Sequence, residues 1–369
     1  MSIPTLKQVV LFGLKKFDRH ACIFPRCGSF APIRGSFSAF EAVQAGRLEG
    51  CVLCHSQPIG ECPHGSVTEL AGMQQHDHQP WPVFWARTSD ARLVGRMLHW
   101  RDPGDRLCLE GVFHICERRR LREDRLLAQV WVSKPVMLEG AWISLASNWG
   151  CGGNYFHWLL DCLTRLRVRE SLPEPTRILL PPIQPNFVKE TIAMLGLEEQ
   201  VMAPPASCIQ PERYYFCSPT SMTGVWNPMG YSWLRQAFSR FLASPRSGPP
   251  IFLTRRGGSR VPANIAEIEA IFTRYGFQIV DCGAIPVAEQ IRSASGAAAI
   301  AGLHGAAMTN LLWGHAGVPV MEIFQSSYVN ACYEQIAFHG KLRYQHHILG
   351  TGRDASSLDR WCKSIGQEP

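Results

Sequence analysis

Ile251 to Trp313 reads IFLTRRGGSRVPANIAEIEAIFTRYGFQIVDCGAIPVAEQIRSASGAAAIAGLHGAAMTNLLW. Three apolar runs, IFL, FQIV and AAAIAGL, alternate with amphipathic segments. That alternation predicts strand, helix, strand, helix, strand, turn and helix, the pattern of a parallel sheet with crossover helices. The third run closes on Gly302-Leu303-His304-Gly305-Ala306-Ala307. Small residues there let backbone N–H groups approach an anion, and the helix that follows points its positive dipole end at the same place. Thr254, Arg255 and Arg256 close the first run, so fixed positive charge falls on the same carboxyl edge of the sheet. Open α/β sheets bind ligands at that edge, and a nucleoside diphosphate fits one built this way.

The rest of the chain sets the frame. Its 369 residues suffice for two domains, and its formal charge of +7 suits acidic ligands: nucleotides, nucleic acid or an anionic membrane face. The densest basic run, Arg118 to Arg122, is flanked by Glu117, Glu123 and Asp124, which reads as a solvated helix face. No contiguous basic stripe interleaved with aromatic residues is present, so no nucleic-acid partner is expected. The first residues lack the apolar core of a secretory signal, and no uncharged run is long enough to span a bilayer. The expected location is therefore cytoplasmic. Ile3, Leu6, Val10, Leu14 and Phe17 form an apolar face with Lys7, Lys15 and Lys16 beside it. Two readings fit it: a helix packed on its own domain, and a peripheral contact with the inner face of a membrane. Fourteen cysteines are mostly scattered singly. Cys51, Cys54, Cys62 and His64 are the exception. The first pair has zinc-ligand spacing, the second is too close for a standard finger, and an irregular loop is the simpler reading.

Residues 1–110 are punctuated by Pro, Gly, His and Cys and predict a loop-rich region with a few strands. Beyond them, strand patterns at 126–132, 141–147, 177–183 and 212–219 alternate with helical patterns. Ser244 to Pro250 is a Ser/Pro/Gly linker. The expected division is an N-terminal acceptor-side domain over 1–244 and a nucleotide-sugar domain over 245–350. The last helix, within 351–369, is expected to pack back on the N-terminal domain.

A second constellation follows the flexible Trp149-Gly150-Cys151-Gly152-Gly153. In a regular helix Asn154, His157, Trp158, Asp161 and Arg165 share one face, while Phe156, Leu159, Leu160, Leu163 and Leu166 face the core. His157 and Asp161 are close enough to couple. One orients the other, or Asp161 takes a proton from a hydroxyl; an idle surface pair is the blander alternative.

Taken together, NYFHWLLDCLTRL, FLTRRGGSRVPANIAEIEAIFTRYGFQIV, AEQIRSASGAAAIAGLHGAAMTNLLW and PVMEIF resemble glycosyltransferase family 61, in the right order over about residues 140–345. The resemblance implies an α/β, GT-B-like architecture, with two Rossmann-like domains facing across a cleft. It implies an inverting transfer of a hexosyl or pentosyl group from a nucleotide sugar to a glycan or lipid-linked glycan acceptor. A UDP-sugar is the first expectation for the donor, since eukaryotic relatives use UDP-N-acetylglucosamine or UDP-xylose. Bacterial relatives point to capsular or other surface polysaccharide synthesis. By position, Arg255 matches the family's phosphate-facing arginine, and Arg260 and Asn264 its R-x3-N pattern. Glu289 and Gln290 match its E-Q pair, and His304, Gly305 and Asn310 its HG-x3-TN segment. Glu322 matches an acidic residue suited to ribose hydroxyls. His157 and Asp161 match its H-W-x2-D, with Asp161 the first candidate base and His157 the next. Thr164 stands where the family commonly has proline. Plainer roles compete at several of these positions: Gly302 and Gly305 as packing sites, Glu322 as a strand cap, and Asn264 with Glu267 as a capping box. The chain has no Asp-x-Asp pair, so no metal or other cofactor is expected. The rival class is a non-catalytic nucleotide- or glycan-binding protein on a transferase fold.

Overall fold

A computed structural model of the chain describes residues 28–30, 35–54, 82–111, 131–147, 149–222, 225–256, 260–350 and 354–365. The N-terminal apolar face, the Arg118–Arg122 run, Cys62, His64 and the Gly257-Gly258 pair lie outside them.

Among the described residues the strands form two main sheets. The first has ten strands: β1 (Gly35–Phe37), β2 (Glu49–Cys54), β3 (Val83–Thr88), β4 (Arg92–Val94), β5 (His99–Arg101), β6 (Arg106–Cys108), β7 (Val136–Ser144), β8 (Arg177–Leu179), β9 (Val201–Met202) and β10 (Cys208–Cys217). Its main path runs β9-β8-β7-β10-β4-β5-β6-β1, and β3 bridges β10 to β2. Only β9-β8-β7-β10 is a continuous parallel set. Strands β3 and β4 both run antiparallel to β10. The N-terminal half is thus mixed α/β, and its sheet is not parallel throughout. A four-stranded parallel unit is there, but short hairpin strands from the region expected to be loop-rich extend it into a mixed sheet. Those strands are only three to six residues long, too short to register as periodic.

The second sheet is parallel throughout: β11 (Ile251–Leu253), β12 (Gln278–Val280), β13 (Ile300–Leu303), β14 (Pro319–Phe324) and β15 (Arg343–Ile348), in the order β12-β11-β13-β14-β15. Chain order reverses between β11 and β13, so their carboxyl ends mark the topological switch point. Strand side chains alternate between faces. Phe252, Ala301, Leu303, Met321 and Ile323 pack under helix α5 (Ile265–Arg274), which contributes Ile268, Ile271 and Phe272 from one stripe. Ile251, Leu253, Ile300 and Val320 point the other way and join a cluster that continues through Leu312 and Leu159 to Trp142 and Phe84 of the first sheet. One hydrophobic core therefore spans both halves.

Helix α8 (Asp354–Ile365) sets Trp361 against Phe272 and Phe277, and Tyr275 donates to Asp359 at 2.7 Å. The last helix covers the second sheet, and not the N-terminal half as expected. Its apolar residues Leu358, Trp361 and Cys362 are spaced i, i+3, i+4 and join the cluster that holds Ile268, Ile271 and Phe272 of α5. Among the described residues no helix is long and apolar enough to cross a membrane.

The switch point is tight. A Cβ on Gly302 would lie 2.8 Å from Met308 Sδ and 2.9 Å from both the Cβ and the carbonyl oxygen of Leu253. Two of those atoms belong to the neighbouring strand and cannot swing aside. Gly302→Ala is expected to cost about 1–3 kcal/mol, read as a lower urea midpoint at unchanged slope. A midpoint equal to the parent's would show that the two strands have slack.

Candidate active site

The first site grows out of the carboxyl end of β7. After Ser144 the chain turns through Trp149 to Gly153 and enters helix α1 (Tyr155–His157), capped by Asn154, whose Oδ1 accepts from Phe156 N at 3.0 Å. The helix then widens into a π-turn, Trp158–Leu163, before continuing as α2 (Arg165–Arg169). A π-turn leaves carbonyls without their usual partners, and π-turns recur at functional sites. Here Ser221 Oγ donates to the Leu160 carbonyl at 3.2 Å and the Thr164 hydroxyl donates to the same oxygen. Arg165 Nε donates to the Asp161 carbonyl at 2.9 Å. Thr164, which departs from the common proline, supplies a hydroxyl that proline lacks.

The wider turn also corrects the predicted stripe. Trp158 leaves it for the core, where its Nε1 donates to Thr191 Oγ1 at 2.8 Å. His157 and Asp161 stay paired, with Nδ1 and Oδ2 2.7 Å apart, and Ser221 Oγ donates to Oδ1 at 3.0 Å. Both residues are buried, at 8 % and 4 % exposure, so this is no idle surface pair. Both Asp161 oxygens are therefore engaged. Ser221, 60 residues away on another element, is a partner that no local motif marks.

The second site is the switch point. His304 follows β13, and its Nδ1 lies 2.6 Å from Oε1 of Glu322 on β14. Tyr344 of β15 donates to the other oxygen, Oε2, at 2.5 Å. Glu322 is completely buried. Burial pushes its carboxyl up from the usual carboxylate range, while His304 and then Tyr344 pull it back. A carboxylate so enclosed does not face a ribose. It orients His304, and that replaces the ribose role expected for it. Phe324 stacks on the His304 ring at 5.0 Å. Tyr344 was invisible to sequence reasoning, because only the register of β14 with β15 brings it to Glu322.

Arg255 extends β11, and its Nη1 donates to the His304 carbonyl at 3.0 Å. A Cβ on Gly305 would sit 2.8 Å from that same nitrogen, so the glycine makes room for the guanidinium. Burial first, then the nearby Arg260, pull the Arg255 guanidinium down from its ordinary value; it remains a cation. Arg260 lies over the Tyr328 ring at 4.5 Å. Two guanidiniums that repel each other at a sheet's carboxyl edge gain from an anion between them. Arg256 pairs instead with Glu269 at 3.0 Å.

The remaining predicted residues divide. Gln290 donates to the carbonyls of Cys282 and Ile285 and accepts from Asn310 Nδ2 at 3.1 Å. Asn310 Oδ1 accepts from Trp313 Nε1 at 3.2 Å, and Asn310 is completely buried. These two brace the 3-10 helix Ala306–Trp313 from behind. Asn264 precedes α5 without a side-chain cap bond, so the capping box does not form. Glu289 is exposed on helix α6 (Val287–Gly296).

The two histidine–carboxylate pairs are linked by rings. Phe156 packs edge-on against His157 at 5.0 Å and against Tyr333 at 5.5 Å, and Tyr333 lies 5.2 Å from His304. A small pocket lined by Arg260, Pro262, Leu303, His304, Gln325 and Tyr328 opens beside the second pair. A roomier cavity of about 650 Å³ lies at the far end of α2, lined by Leu166, Arg169, Glu170, Leu172, Trp233 and Gln236 among others. Its arginine is bonded to Thr176 and Gln200, and Glu170 accepts from Trp233. The convergent chemistry is at the histidines, not there. Among the described residues no group of three or more His, Cys, Asp or Glu side chains is placed to hold a metal ion, and Cys54 Sγ is 3.3 Å from Asn227 Nδ2.

Residues 155–321 match the family model Glycosyltransferase 61. The match covers less than half of the chain and is to a family of glycosyltransferases. Nothing among curated proteins matches the chain. The matched segment opens at α1, takes in His157, Asp161, Arg255 and His304, and stops one residue before Glu322.

Glu322→Ala leaves His304 and Tyr344 facing an unfilled buried site and is expected to cost about 3–5 kcal/mol of stability. Tyr344→Phe removes one hydrogen bond and should cost about 1 kcal/mol. Urea unfolding of both variants tests this order, and equal losses would mean that the carboxyl is not the hub of the cluster.

Proposed function

We propose that the chain is an inverting glycosyltransferase with a GT-B-like arrangement. In this reading the nucleotide sugar lies against the second sheet and the acceptor against the first. The observation that carries it is the convergence of Arg255, Arg260 and His304 at a topological switch point, within a few ring contacts of a second, buried His–Asp pair. Arginines and a helix start suit a diphosphate, and a histidine oriented by a carboxylate suits a hydroxyl.

The reaction is a single displacement. An ionised Asp161 accepts the Nδ1–H of His157, which leaves the lone pair on Nε2. Nε2 takes the proton of the acceptor hydroxyl as its oxygen attacks the anomeric carbon. The bond from that carbon to the diphosphate oxygen breaks, and the electron pair leaves with the diphosphate. Arg255, Arg260 and the first amides of the Ala306–Trp313 helix stabilise the charge that develops. His157 is thus the base and Asp161 its positioning residue, the reverse of the order expected from sequence. A UDP-sugar is the first donor to try. The acceptor is a glycan or lipid-linked glycan of the surface-polysaccharide kind, met in the cytoplasm.

Calorimetry with nucleoside diphosphates tests the donor side. Arg255→Ala should weaken binding about 10–100-fold, the worth of a charge-assisted hydrogen bond. Unchanged affinity in a folded variant removes Arg255 from the site. His157→Ala should lower turnover by ~10²–10⁴-fold with the nucleotide dissociation constant held, and Asp161→Asn should follow it by fixing the wrong tautomer. If Asp161→Asn abolishes transfer while His157→Ala keeps most of it, the carboxylate is the base after all.

In this reading two arginines and backbone dipoles neutralise the leaving group, so no cation is required. Transfer should survive EDTA. Loss restored by manganese or magnesium would overturn that part of the account.

A further inference from the structure

We propose that Trp149 is the platform on which an acceptor pyranose stacks, so that the acceptor is recognised through the apolar C–H face of a sugar ring. The proposal rests on the transferase reading above and goes beyond it in naming how the acceptor is held. Trp142, Trp158 and Trp313 are buried to 2 % exposure or less, whereas Trp149 is 44 % exposed. A half-exposed indole has an apolar body on which the C–H face of a sugar ring can rest, and what points to that use is its place beside His157. The indole centroid lies 5.5 Å from the His157 ring, at an interplanar angle of 51°. A sugar ring resting on that indole carries its hydroxyls at its rim, next to the imidazole assigned as base.

The loop that carries Trp149 is held at many points. The Trp149 carbonyl accepts from Asn154 N at 3.0 Å, the residue that caps α1. Gly150 N donates to Ser147 Oγ at 3.0 Å, and Cys151 N to the Ser147 carbonyl at 3.2 Å. A Cβ on Gly150 would run into Cys162 Sγ and sit 3.1 Å from Trp158 Cα, so the loop lies flat against the π-turn. The backbone is therefore fixed while the ring it presents is exposed, which is how a preorganised platform is built. A second half-exposed ring, Tyr328, sits 5.3 Å from the other histidine but carries Arg260 on its face, so its surroundings suit an anionic donor. The exposed Val136 and Met137 begin β7, at the opposite end of that strand from the turn to Trp149. Trp149 is thus not the edge of one apolar patch with them, as a membrane or protein contact would favour.

The test measures acceptor KM with a panel of methyl pyranosides and short neutral oligosaccharides, for the parent chain and for Trp149→Ala, Trp149→Phe and Tyr328→Ala. Trp149→Ala should raise the acceptor KM about tenfold or more with the nucleotide dissociation constant held, and Trp149→Phe should restore most of the loss. Tyr328→Ala should move nucleotide affinity and not acceptor KM. An acceptor KM unchanged in Trp149→Ala overturns the proposal, and so does a nucleotide affinity that falls in step with it. Binding to anionic phospholipid vesicles that is lost in Trp149→Ala while acceptor KM stays put assigns the ring to a membrane and equally overturns it. Saturation-transfer NMR with the same sugars separates this from the transferase reading. A parent that binds sugars through Trp149 but transfers none loses the catalysis and keeps the platform; one that transfers while Trp149→Ala binds sugars equally well loses the platform alone.

Discussion

The two central strands of the second sheet approach so closely at their carboxyl ends that a methyl group does not fit between them. Gly302 is the residue that permits this, and most of the second site depends on it. With β11 and β13 in contact there, Arg255 leaves the end of one strand and reaches the carbonyl of His304 at the end of the other. Gly305 then clears space for the guanidinium. A hydrogen bond from a charged donor to a backbone carbonyl fixes the arginine without neutralising it, so its remaining donors and its full charge stay with the edge of the sheet. The register of β13 with β14 and of β14 with β15 brings Glu322 and Tyr344 behind His304.

Both sites use the same device. In each a histidine Nδ1 is held by a carboxylate whose second oxygen is taken by a hydroxyl: Ser221 on Asp161, Tyr344 on Glu322. The hydroxyl matters because a buried carboxylate with one bare oxygen is costly, and a donor on that oxygen offsets part of the desolvation. The consequence for chemistry is tautomeric. A carboxylate on Nδ1 directs the other ring nitrogen outward. The carboxylates differ slightly in burial, since Glu322 is fully enclosed while Asp161 keeps a trace of exposure, and the two histidines are buried alike.

The parallel sheet was legible because its strands are buried on both faces and read as unbroken apolar runs between helices of regular period. Arg255, His304 and the His157–Asp161 pair were legible for a related reason: each lies within a few residues of a strand end or helix start, and local order in the chain is local order in space. What escaped came from elsewhere in the chain. Ser221, Tyr344 and Tyr333 reach the sites through sheet register and helix packing, and a single sequence carries no mark of such pairings. The role of Glu322 was misread because a carboxylate after a strand looks the same whether it faces solvent or a neighbour. The hairpin strands of the N-terminal third were too short to show a period, and the last helix was sent to the wrong half because an amphipathic stripe says that a helix packs, not on what.

The setting of the His157–Asp161 pair depends on a π-turn, which a helical wheel cannot show. In a regular α-helix Trp158 would sit on the same face as His157 and Asp161, and the acid would compete with the histidine for whatever approaches that face. Trp158, the first residue of the turn, lies in the core instead, where Thr191 takes its N–H. The turn also frees the carbonyls of Leu160 and Asp161, and Ser221 and Arg165 close over them. Ser221 makes that contact with the same hydroxyl that reaches Asp161 Oδ1. Repair of the helix backbone and engagement of the acid are therefore one event. Once the turn widens, Asp161 is committed on both oxygens, to His157 on one side and Ser221 on the other.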